Sequence, residues 1–325
     1  LFAGWPCRLT VVQFGWNPTP IQDLYSSLLY RSPRVTKKKE EMKEIAPNVY
    51  IETTYPGVTL GLISLPRGMI LIDAPFRVDD IRLWRVSIQE LAAGNDRLLI
   101  NLDEHFDRTL GSRQIECTVA GQERLTQYLK DRPINIRPQG IETGAEWELH
   151  SSIGNVRWST PEITFTDHLE IYWGDNPLFL DSRPGPSAAS IWVTLPVEKI
   201  IFLGDAIMLG TPPFLANANL PAWIESLASL LKPNFRQYTL ISGRGGVIES
   251  GDIKNQVKQL EKIQKVIDKI SGKPLRPEDI HKTASLILKH CTYPKQRELQ
   301  YLQRLRWGLT QFLRHQSLPQ PETVE

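Results

Sequence analysis

Residues 98–111 read LLINLDEHFDRTLG, an apolar run that delivers a dense acidic and imidazole cluster directly after it. An apolar run of this kind predicts a buried strand, so the charged side chains that follow must lie where the strand leaves its sheet. Asp103, His105 and Asp107 stand at alternate positions, and side chains two apart on an extended segment point the same way. That spacing suits a metal ion. A solvated loop leading into a helix at Asp107, whose carboxylate caps the next turn, is the other reading of the same residues.

Four further blocks, one before this stretch and three after it, stand in a definite order: Ile70-Leu71-Ile72-Asp73-Ala74-Pro75, Pro184-Gly185-Pro186-Ser187-Ala188-Ala189-Ser190, Phe202-Leu203-Gly204-Asp205, and Ile241-Ser242-Gly243-Arg244-Gly245-Gly246. Together the five resemble the metallo-β-lactamase superfamily, whose signature reads His-x-His-x-Asp-His between a strand and a helix. The resemblance covers roughly residues 49–272. It implies an α/β fold, the metallo-β-lactamase-like αββα sandwich of two mixed β-sheets with flanking helices. It also implies a pit in which two divalent metals activate a water for attack on a carbonyl or phosphoryl centre.

The departures from the superfamily pattern fall on the metal ligands. Asp103, His105, Asp107 and Arg108 stand where the signature has His, His, Asp and His. The Gly-His-Thr block reads Gly185-Pro186-Ser187, and proline has no side-chain donor for a metal. Asp205 keeps the place of the bridging aspartate. Arg244 stands where the last histidine belongs. Asp73 matches an aspartate that, in the resemblance, supports the metal loop from behind. Because a guanidinium is permanently charged and forks onto carboxylates, Arg108 and Arg244 are expected to pair with Asp107 and Asp205 and to replace the metals structurally.

Bulk properties narrow the function classes without naming one. The chain has 325 residues, 41% of them hydrophobic, and its 38 Lys and Arg nearly balance 36 Asp and Glu. That predicts a large core and gives net charge no part in recruiting a nucleic acid or a membrane. The three cysteines, Cys7, Cys117 and Cys291, are too few and too scattered for a disulfide framework, and a cytoplasmic location is expected. Residues 1–41 show no sustained period, and Met42 is read as the true start. The alternative is an arm that packs through Trp5, Phe14 and Trp16. Residues 42–272 are read as the sandwich and 273–325 as a C-terminal helical extension.

Along the chain, residues 49–75 predict a meander of short strands, 78–93 a helix, 98–102 and 117–120 strands, and 122–130 a helix. Antiparallel text follows at 148–150, 162–165, 169–173, 178–181, 191–195 and 200–203, all assigned to a second sheet. Helices are expected from Pro221, over 252–270, after Arg276 and over 295–315, with a last strand at 237–242. Arg297, Arg304, Arg306 and Arg314 are placed mostly on the wet side of the final helix. His150 and His168 fall off the motif positions and are not counted as ligands.

The expected function is that of an atypical, non-catalytic member of the superfamily with a small anionic ligand or a protein partner in the former active-site pit, held by Arg108 and Arg244. No metal, or one zinc, iron or manganese ion on Asp103, His105 and Asp205, is expected. The alternative is a mononuclear hydrolase of an ester, thioester, lactam or phosphoester. In that case Asp107 and Arg244 are the catalytic candidates, with Arg244 steadying the oxyanion.

Overall fold

The computed structural model describes residues 42–91, 94–132, 140–150, 153, 156–272 and 276–317. The expectations for the first forty-one residues, and for the tail beyond residue 317, lie outside the described residues. Strands β1 (Lys43–Ala46), β2 (Val49–Glu52), β3 (Leu60–Ser64) and β4 (Gly68–Ile72) form an antiparallel meander. Helix α1 (Val78–Gln89) crosses over to β5 (Asp96–Ile100), which pairs parallel with β4. A four-residue helix α2 (Phe106–Thr109) leads to β6 (Thr118–Gln122), and α3 (Glu123–Lys130) to β7 (Ile163–Phe165), both again parallel. The seven strands lie in sequence order.

The second sheet runs β13-β12-β11-β10-β9-β8, from Gly246–Ile248, Thr239–Ser242, Ile200–Phe202, Ile191–Leu195, Leu178–Ser182 and His168–Ile171. Within it β11 and β12 pair in parallel, and the helix α4 (Leu220–Ser229) makes their crossover. Helices α5 (Ser250–Asp268), α6 (Pro277–Leu288) and α7 (Glu298–Ser317) complete the described chain. Among the described residues no helix is long and apolar enough to cross a membrane.

Strand periodicity sorts the core into layers. Ile70, Ile72, Leu98 and Ile100 face Leu180, Val193, Ile200 and Phe202 between the sheets. Their neighbours Met69, Leu71 and Leu99 turn outward against Ile81, Trp84 and Ile88 of α1. On the far side Ile201 and Leu240 meet Trp223, Leu227, Leu260 and Ile263. Ala284, Ile287, Tyr301, Leu305 and Leu309 belong to that same outer layer, so α6 and α7 are part of the sandwich rather than an independent body.

Two strand assignments change. Residues 148 and 149 fall on a 3-10 turn, Trp147–Leu149, with His150 just past its end, and β7 belongs to the first sheet, where Ile163 is in register with Ala120. Alternating apolar and polar residues report a half-buried strand but not the identity of its neighbour. The antiparallel β13, absent from the sequence reading, is three residues long and too short to show a period. Arg304 corrects the reading of the last helix: it is 1% exposed rather than on the wet side.

Gly61 shows how tightly the sheets approach, since a Cβ there would sit 2.6 Å from the Phe202 ring and 2.9 Å from Ile72. Gly61→Ala is therefore expected to destabilise the protein by about 1–3 kcal/mol through overpacking. Denaturant melts check this, with Phe202→Leu in the same chain expected to recover part of the loss.

Candidate functional site

The four polar blocks meet because of the topology. Asp73 follows β4, residues 103–108 follow β5, Asp205 follows β11 and Arg244 follows β12, so each lies at the carboxyl end of a strand with a parallel neighbour. In such sheets the crevice at those ends is the common place for a ligand.

Local hydrogen bonds shape each block. Asp73 takes the left-handed conformation at φ 60°, and its Oδ1 accepts the Leu102 N–H at 3.0 Å, tying the turn after β4 to the start of the acidic loop. Asp103 Oδ1 accepts the His105 N–H at 2.9 Å, a turn that sends the chain into α2. Asp107 accepts the backbone N–H groups of Glu146 and Trp147 at 3.1 and 2.9 Å. Gly243 donates its N–H to Gly204 O at 2.7 Å, and a Cβ there would meet both Gly204 and the Arg108 guanidinium, so only glycine fits.

Arg108, 0% exposed, lies among Asp73, at 2.5 Å, Asp103, at 2.8 Å, and Asp205. Arg244 reaches Asp107 at 2.7 Å and both oxygens of Asp205 at 3.0–3.2 Å. Asp205 is thus clasped by both guanidinia, whereas Arg108 pairs with Asp73 and Asp103 in place of the expected Asp107. His105 completes the cluster, with Nδ1 3.1 Å from Asp103 and 3.1 Å from Asp205, off the ideal hydrogen-bond line.

The charges hold one another. Burial alone would raise the pKa of Asp205, but Arg108, Arg244 and His105 outweigh it and keep the carboxyl well below the usual range. Asp103 is lowered in the same way, against burial, by Arg108 and His105. Burial opposes the His105 imidazolium too, yet Asp103 and Asp205 lift its pKa to about 10. Asp73 rises to about 6, because burial and the nearby Asp103 carboxylate exceed the pull of Arg108 and the Leu102 N–H. Both guanidinia are held charged by their carboxylates.

The metals implied by the resemblance can be tested against these donors. Asp103, His105 and Asp205 each offer an atom within 4.8 Å of the others, and Asp103 Oδ2 is buried without a hydrogen-bond partner. This trio fits one ion. It is the only such group among the described residues. The second metal's position does not fit, because Arg244 lies against Asp107 and Asp205, the two carboxylates that would bind it. Pro186 is buried and adds no donor, while its neighbour Ser187 hydrogen-bonds Glu104.

Beside the cluster lies a cavity of about 180 Å³, whose lining includes Glu104, His105, Phe106, Arg132, Phe214 and Trp307. Neither Arg108 nor Arg244 lines it. Arg132, Phe214 and Trp307 were not legible as site residues, since none stands in a motif block. Helix α7 supplies Trp307 and, with the turn before it, also holds the rim: Arg304 donates to Gly144 O and Pro212 O at 2.8–3.0 Å, and Arg297, on the turn, pairs with Glu146. His150 lies 3.8 Å from Glu146, and exposed His168 pairs with Asp181, both away from the cluster.

Removing Arg244 leaves Asp107 and Asp205 short of a cation in a buried site. Arg244→Ala is expected to cost about 3–5 kcal/mol, against about 0–1 for an exposed pair. Denaturant melts of the single and double mutants with Asp205→Ala measure the coupling, which should be well above zero. For His105 the folded pKa of about 10 exceeds the unfolded value of about 6.5, so its contribution is complete below about pH 6.5 and is lost as pH rises through 10. Melts of metal-free protein across that window should fall more steeply for the wild type than for His105→Gln.

No family model matches the sequence, and no curated protein is similar to it. Solved structures are similar in shape. A metallo-β-lactamase from Pontibacter korlensis matches with TM-score 0.51 at 19% identity, over 68% of this chain and 98% of that one. A metallo-β-lactamase family protein from Thermus thermophilus matches with TM-score 0.58 at 15% identity, over 84% and 95%. The stereoselective inverting sec-alkylsulfatase Pisa1 from Pseudomonas sp. matches with TM-score 0.61 at 12% identity, over 85% of this chain and 50% of that one. With two mixed sheets, outer helices and the polar blocks at one end, the chain has the metallo-β-lactamase fold.

Proposed function

We propose that this protein works without a metal pair and binds a small anionic molecule, or a partner presenting one, in the pit beside Asp205. The observation that carries the metal-free part of this reading is the double clasp on Asp205 by Arg108 and Arg244, and the anion-binding part is supported by buried Arg132, which lines the neighbouring cavity. With His105 protonated, three cations already face Asp73, Asp103, Asp107 and Asp205, leaving one net negative charge. A dication about 4 Å from a guanidinium meets a repulsion on the order of 8 kcal/mol at an effective dielectric of about 20. Two such ions would have to displace both arginines from the carboxylates that bury them.

The unpartnered Asp103 Oδ2 favours a second reading, a mononuclear hydrolase of an ester, thioester, lactam or phosphoester. One ion on Asp103, His105 and Asp205 would supply a Lewis acid and an activated water. Arg244, tied to Asp107 and Asp205, would face the developing oxyanion only after releasing one of them.

Elemental analysis of protein purified without chelator separates the two. The first reading expects under about one equivalent of zinc, iron or manganese per chain, and no hydrolysis of generic esters or lactams by the wild type or Arg244→His. Two tightly held ions would overturn it. One stoichiometric ion, with hydrolysis lost in His105→Ala, would establish the second.

A further inference from the structure

Arg132 is a buried cation that no carboxylate among the described residues neutralises by direct contact. We propose that the cavity it lines binds a monocarboxylate with an aromatic or branched apolar body, the carboxylate on Arg132 and the body among the surrounding rings. This rests on the metal-free reading above and adds the chemical class of the ligand.

Arg132 is 8% exposed. Its Nη1 donates to Thr109 Oγ1 at 2.8 Å and its Nη2 to the backbone oxygen of Glu104. A guanidinium has five N–H donors, so three are left without an acceptor among the described residues. The charge lies 3.9 Å over the Phe106 ring, which tolerates a cation but does not cancel it. Glu104, the carboxylate whose charge acts most strongly on Arg132, is committed elsewhere, with Oε1 accepting from Asn217 at 3.1 Å and Oε2 from the Ser187 hydroxyl. Burial accordingly drags the Arg132 pKa down to about 9, with Glu104 and Asp103 opposing only in part.

Arg304 is also buried without a carboxylate, but all three of its guanidinium nitrogens donate to the carbonyls of Gly144 and Pro212, whereas Arg132 Nε has no acceptor among the described residues. Each guanidinium nitrogen of Arg108 and of Arg244 already faces an aspartate oxygen. Among these four arginines Arg132 is therefore the one with a guanidinium nitrogen that faces no acceptor among the described residues, and it lines the cavity. A carboxylate suits those donors because two parallel N–H groups match its two oxygens.

The walls and the size define the rest of the ligand. Phe106, Tyr128, Phe214 and Trp307 make much of the lining. The volume of about 180 Å³ compares with the roughly 150 Å³ of an engineered cavity that takes one benzene, so a single ring or branched chain with a small polar head fits. Glu104 and Asp107 line the same space, and their charges disfavour a dianion such as phosphate.

The test is isothermal titration of the full chain in chelator with benzoate and phenylacetate, set against inorganic phosphate and the neutral benzyl alcohol. One-site binding of the aryl carboxylates is expected, with both comparators weaker by about tenfold or more. Arg132→Met should weaken aryl carboxylate binding by about tenfold or more, the loss of a charge-assisted contact, and Arg132→Lys by less. Ala216→Phe, which fills the cavity and leaves Arg132 in place, should abolish it, with thermal melts confirming that each variant folds. No binding by folded wild type, equal binding of benzyl alcohol, or affinity unchanged in either Arg132→Met or Ala216→Phe would overturn the proposal. Metal retained through the chelator, read by elemental analysis of the same sample, would instead overturn the metal-free reading.

Discussion

The buried carboxylate of Asp205 is the constraint on which the two halves of the sandwich depend. A carboxylate 1% exposed survives ionised only if cations come to it, since desolvation otherwise drives it to take up a proton. Arg108 comes from the loop after β5 in the first sheet and Arg244 from the turn after β12 in the second. One side chain thereby ties together the ends of both sheets, and position 243 takes glycine because the Gly204 backbone, with the Arg108 guanidinium behind it, leaves no room for a Cβ.

From Asp205 the network spreads outward in two directions. Through Arg108 it reaches Asp73, whose other oxygen holds the Leu102 N–H and so fixes how the chain leaves β5. Through Arg244 it reaches Asp107, which holds the Glu146 and Trp147 N–H groups. That segment is clamped from behind by Gln300, Arg304 and Arg297 of α7 and the turn before it. The C-terminal helix is therefore structurally coupled to the acidic loop, although nearly two hundred residues of chain separate them.

The fold was legible because its five blocks each mark the end of a strand and kept their order, information carried by local residues alone. The identities of the partners were less so. Arg244 could be assigned to Asp107 and Asp205 from motif positions, but the pairing of Arg108 with Asp73 depends on the parallel register of β4 and β5, which places the ends of those strands side by side. Arg304 reads as the wet side of an amphipathic helix because a helical period reports one apolar stripe and knows nothing of carbonyls brought up by a distant loop. Arg132, just beyond α3, had no signal at all: its importance comes from what is missing around it, and absent partners are a property of three-dimensional packing.

Exchanging metals for guanidinia preserves shape and discards chemistry. A divalent ion organises its ligands from a point and offers an open position to a reacting group. A guanidinium organises carboxylates through a planar fork and, once each of its nitrogens faces an oxygen, has little left to offer a reacting group. The clasp on Asp205 can hold the loops at the sheet ends in place, and with them the walls of the neighbouring cavity, without acting on whatever enters. On the proposed reading the binding task then falls to a residue outside the clasp. Arg132 meets that requirement because it is charged, buried and has one guanidinium nitrogen without an acceptor among the described residues, so a ligand anion gains a contact that the protein itself does not make.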